Sequence, residues 1–64
     1  MKNKLREKRE ALNLRMIDIA LICGVGISTI WLVENGYDRR ISKKTKEKIT
    51  KGLGVTTKEI FPEE

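Results

Sequence analysis

Apolar residues recur along this chain at helical spacing in five short segments, and no segment shows the strict alternation of a half-buried strand. Asn3 stands where it can cap a first helix running to about Leu12, with apolar contacts from Leu5, Ala11 and Leu12 and from the stems of its long cations. A second helix, from about Met16 to Cys23, places Ile19, Ala20 and Cys23 on one side. Gly24 ends it, because glycine enters the left-handed region without a Cβ penalty. A third helix, from about Ile27 to Asn35, turns Ile30 and Val33 inward, with Val25 plugging the turn and Gly36 as the C-terminal stop.

Beyond a loop from Tyr37 to Ile41, Ser42 is a good N-cap for a fourth helix, about Lys43 to Leu53, which buries Thr45, Ile49, Gly52 and Leu53. Gly54 closes that helix. Thr56 and Glu59 then read as a capping box for a last short turn that carries Ile60 and Phe61 into the core before Pro62 stops it. The expected fold class is all-α, a compact five-helix domain spanning residues 1–64, with a helix-turn-helix over about residues 16–35.

The run from Ile19 to Val33 carries no charge, and Lys2, Lys4, Arg6, Lys8, Arg9 and Arg15 precede it as the positive flank of a membrane segment would. A bilayer span needs about 20 predominantly apolar residues. This run is closed by Asp18 and Glu34 and holds Gly24 and Gly26 near its middle, while Glu7 and Glu10 interrupt the basic flank. Two helices folded around a tight turn therefore fit it better than one rod, and no membrane partner is expected.

Composition narrows the function further. A chain of 64 residues buries only about 60% of its unfolded surface, so its core must be small. The net charge of +5 points only weakly to phosphate-rich partners until the charges are located. From Arg39 to Lys51 the cations Arg39, Arg40, Lys43, Lys44, Lys46, Lys48 and Lys51 face only Glu47, which places a basic surface beside the turn motif; the plainer alternative is a solvated lysine-rich helix. With no His, one Cys and no carboxylate pair around a nucleophile motif, neither an enzyme nor a metal or cofactor site is expected. Cys23 reads as a reduced, buried small hydrophobe, in keeping with a cytoplasmic location.

Several of these positions together resemble the Cro and repressor type of helix-turn-helix domain, often called Xre-like. They are Arg9, Leu14, Ile19-Ala20, Gly24-Val25, the stretch from Ile30 to Gly36 ending in Glu-Asn-Gly, Leu53-Gly54-Val55 and Glu59-Ile60-Phe61, so the resemblance covers Leu5 to Phe61. It implies a small transcriptional regulator that binds operator DNA as a homodimer, with no cofactor. It also implies an ion pair between Arg9 and Glu34 linking the first helix to the end of the third. The third helix would lie in the major groove, with Ile27, Ser28, Trp31 and Leu32 on the base-facing side and Thr29 close to bases or phosphates. Arg39, Arg40, Lys43 and Lys44 would neutralise phosphates.

The chain departs from the family at Met16, Ile27, Trp31 and Leu32, where Gln, Arg, Asn, Ser or Thr are usual. Ile17, Leu21 and Ile22 are also apolar where the family pattern is solvated. This supports an alternative in which Ile17, Leu21, Ile22, Ile27, Trp31 and Leu32 bind a protein partner or a second copy of the chain. Ile60, Phe61 and the tail from Pro62 to Glu64 are candidates for a dimer contact.

Overall fold

The computed structural model describes residues 3–62. Lys2 of the basic flank, and Glu63 and Glu64 of the tail, lie outside the described residues. The order is α1 (Leu5–Ala11), α2 (Met16–Cys23), α3 (Ile27–Glu34), a 3₁₀ turn (Asp38–Arg40), α4 (Lys43–Leu53) and α5 (Thr57–Ile60), with no strand among the described residues. The all-α, five-helix expectation holds, and the second helix has the bounds that its spacing suggests.

The uncharged run does not form one rod. The axis turns by 115° between α2 and α3, and no single helix among the described residues is long and apolar enough to cross a membrane. Gly24 makes the turn possible. Its φ of 69° lies in the left-handed region, and the following amide, Val25 N, donates to Ala20 O at 3.0 Å. The same closure ends α3, where Gly36 has φ 87° and Tyr37 N donates to Leu32 O at 2.8 Å.

The core consists of Leu5, Ile19, Ala20, Cys23, Ile30, Val33, Ile49, Ile60 and Phe61, with Leu14, Met16, Val25, Ile41, Leu53 and Val55 packed around it. On α2, Ile19, Ala20 and Cys23 share one arc at about 100° per residue, and that arc faces the other helices. Gly52 of α4 sits against Cys23, so these two helices approach more closely than any side chain at residue 52 would allow.

The structure corrects several details of the sequence reading. Ala11 and Leu12 are exposed, not core; Asn13 takes a positive φ of 61° and swings the chain round so that Leu14 packs inward instead. Asn3 is buried and lies one residue before the cap position of α1. Its Oδ1 accepts from Leu5 N at 3.2 Å, while its Nδ2 donates to Val33 O at 2.8 Å and so joins the chain start to α3. On α4, Lys46 and Thr50 are buried beside Ile49, whereas Thr45 and Leu53 are only half-buried. The Lys46 ammonium stands 5.2 Å from the centre of the Phe61 ring, a cation over an aromatic face. Ile60 and Phe61 are consumed by the core, which removes them as dimer contacts.

Candidate nucleic-acid interface

Glu34, the last residue of α3, anchors that helix to α1. Its side chain is 0% exposed. Arg9 Nε donates to Glu34 Oε2 at 2.6 Å and Arg9 Nη2 to Oε1 at 3.1 Å, a two-pronged pairing suited to the planar guanidinium. The remaining prong, Arg9 Nη1, donates to Leu14 O at 2.9 Å, and Arg6 Nε adds a longer bond to Glu34 Oε1 at 3.3 Å. Hydrogen bonding to Glu34, opposed in part by burial, makes the Arg9 guanidinium hold its proton more tightly than usual. The Arg9 guanidinium thus ties α1, the loop after it and α3 together. No buried side-chain polar atom among the described residues is left without a hydrogen-bond partner.

At the start of α2 lies a second, exposed pair. Asp18 Oδ2 accepts from the Arg15 backbone N–H at 2.8 Å, and the Arg15 guanidinium grips both carboxylate oxygens at 3.1 and 3.0 Å. The Arg15 side chain, helped by its backbone N–H, holds the Asp18 carboxyl below the ordinary carboxylate range.

With Ile30, Val33 and Glu34 turned inward, the opposite side of α3 faces outward. Ile27, Ser28 and Trp31 are exposed there, Trp31 at 49%, while Thr29 and Leu32 are half-buried at its edges. Gly26 precedes the helix without a side-chain cap, which leaves the first turn open to approach. Arg39, Arg40, Lys43 and Lys44 are all exposed, on the 3₁₀ turn and the first turn of α4.

Tyr37, placed by the sequence reading in a plain loop, links the two groups. Its ring stacks on Trp31 with 6.1 Å between centres and 12° between planes, and the Arg40 guanidinium lies 5.9 Å from its own centre. The stack thereby brings the basic turn alongside the outward face of α3. Lys48, one of the cations of the basic stretch, donates from Nζ to Gly24 O at 3.4 Å and so stands at the turn between α2 and α3. The available signal for Tyr37 was its position directly after the glycine that closes α3, which returns the next side chain towards the helix it has left.

On α2, Ile17, Leu21 and Ile22 are exposed, Leu21 at 74%. Ile17 and Leu21 lie one turn apart on one flank, and Ile22 lies on the other. The cleft between α1 and α5, lined by Lys4, Glu7, Lys8, Glu59 and Ile60, includes none of these residues and mixes opposite charges. Among the described residues no cluster of His, Cys, Asp or Glu side chains has the makings of a metal site.

The model of a family described as helix-turn-helix matches residues 5–60. No curated protein and no solved structure matches the chain.

Proposed function

Since this chain belongs to the helix-turn-helix family, a family of DNA-binding regulators, we propose that it is a small sequence-specific transcriptional regulator that lays α3 in the major groove. The observation that carries this reading is the placement of an outward α3 face beside the turn that carries Arg39 and Arg40, joined to it through Tyr37. Ser28 and Thr29 meet bases or phosphates, Ile27 and Leu32 meet base methyl groups, and Trp31 packs against the backbone of the duplex. Arg39, Arg40, Lys43 and Lys44 hold phosphates. A homodimer would present two such helices about 34–36 Å apart, one turn of the duplex, at a two-fold site in the cytoplasm.

Selection from random duplexes across a salt titration tests this. The expected result is an enriched two-fold sequence whose binding weakens steeply as salt rises. If no duplex at low salt binds the chain more than it binds a neutral control protein, the reading is wrong.

A second reading is favoured by the exposure of Leu21 and Ile22 on α2, which a groove-bound α3 does not explain. In that reading Ile17, Leu21, Ile22, Ile27, Trp31 and Leu32 bind a protein or a second copy of the chain. Replacing Ile27, Trp31 and Leu32 by Ser or Gln separates the two. Better solubility with undiminished DNA binding favours a protein interface, whereas loss of DNA binding in a folded, monodisperse chain favours readout by α3.

A further inference from the structure

The outward helix lacks the side chains that distinguish base pairs by paired hydrogen bonds. From Ile27 to Val33 there is no Arg, Lys, Asn or Gln. Glu34 is locked in the Arg9 pairing, and Asn35 turns its amide back onto Trp31 O at 2.9 Å. What the helix offers outward is the apolar bulk of Ile27 and Trp31, one helical turn apart, with Leu32 and the hydroxyl of Ser28 to one side of them. Arg40 reaches this face through Tyr37, and Arg39, Lys43 and Lys44 are exposed along the chain on either side of it. This surface complements a polyanion at its border and an apolar feature at its centre.

A major groove has one apolar feature, the C5-methyl group of thymine. A 5-methylcytosine carries the same methyl on a G·C pair. We propose that α3 reads 5-methyl groups on pyrimidines, so that the chain binds DNA containing 5-methylcytosine more tightly than the same sequence unmethylated. The inference rests on the DNA-binding reading above and adds the chemical feature that is recognised. A hydroxyl such as Ser28 pairs with either base of a pair, so it leaves the methyl groups to supply the discrimination.

Four alternating duplex polymers test it by competition at low sodium concentration without multivalent ions: dA-dT against dA-dU, and dG-dC against dG-5-methyl-dC. Each pair differs only by the methyl group. The methylated member of both pairs should bind more tightly, by roughly threefold to fourfold for each methyl removed from water. The Ile27→Ala variant, changed at an exposed position and checked for helix content by circular dichroism, should lose most of the preference within both pairs, whatever the change in its overall affinity. Salt-dependent binding that is equal within both pairs overturns the inference and leaves the DNA reading standing. Failure to bind any of the four at low salt overturns both.

Discussion

Gly52 lies so close to Cys23 that a Cβ on Gly52 would stand 2.8 Å from Cys23 Sγ and 2.9 Å from Cys23 Cα. The second distance matters more, because a backbone atom cannot rotate away. Alanine is a better helix former than glycine by about 1 kcal/mol, yet overpacking of this kind costs about 1–3 kcal/mol. Gly52→Ala should therefore lower the melting temperature despite its helix propensity, as read by circular dichroism. A rise would mean that α2 and α4 slide apart at little cost.

Glu34 and its two arginines should respond unequally to truncation. Glu34→Ala leaves the partly exposed Arg9 without its carboxylate and should cost about 2–3 kcal/mol. At roughly 4–8 °C per kcal/mol for a domain of this size, that loss lowers the melting temperature markedly. Arg6 is 43% exposed, and Arg6→Ala should cost at most about 1 kcal/mol. Denaturant titrations of the two variants check the ranking, and equal losses would show that Arg9 is not the principal partner.

Burial pushes the Cys23 thiol above its usual pKa, and its Sγ donates to Ile49 O at 3.3 Å. The unfolded chain thus releases this proton first. The contribution is fully present below the unfolded value of about 8.5 and is lost as pH rises towards the folded one. Stability should fall from about pH 8.5 upwards in the wild type, with a smaller fall in Cys23→Ala. Iodoacetamide at pH 8 should label Cys23 only at the rate at which the chain opens, and labelling as fast as that of a free thiol would contradict its burial.

Lys43 and Lys44 are exposed in the first turn of α4, shortly after the 3₁₀ turn that carries Arg39 and Arg40. If each neutralises a phosphate, Lys43→Ala and Lys44→Ala should each flatten the slope of log K against log salt by about 0.9. Both should weaken binding to all duplexes alike, because phosphate contacts carry no sequence information. An unchanged slope would place these lysines away from the duplex.

Much of the architecture is legible in sequence because it rests on local rules. Gly24 and Gly36 mark turns that need a left-handed residue, and Ile19, Ala20, Cys23, Ile30 and Val33 fall on arcs that a helix must bury. What escaped depends on long-range placement. Leu12 and Leu14 are equally apolar, and only the positive φ of Asn13 decides which of them packs. Lys46 counts as one more cation in a basic stretch until Phe61 is seen beneath its ammonium. Asn3 bonds across thirty positions to Val33, beyond any pattern a window of residues can display. At the candidate interface the basic turn and the third helix are visible separately, but the ring stack of Trp31 and Tyr37 that sets them side by side is a product of folding.

Lys4 N donates to Ile60 O at 2.8 Å, one residue after Asn3 is fastened to Val33. The backbone is hitched into a ring, so α5 cannot unravel without loosening the start of α1. Peptides fused before Asn3 or after Pro62 would leave from neighbouring points, and two such fusions would crowd each other. A fluorophore at Lys4 and a quencher at Pro62 would sit close together in the folded chain and separate only when this link opens.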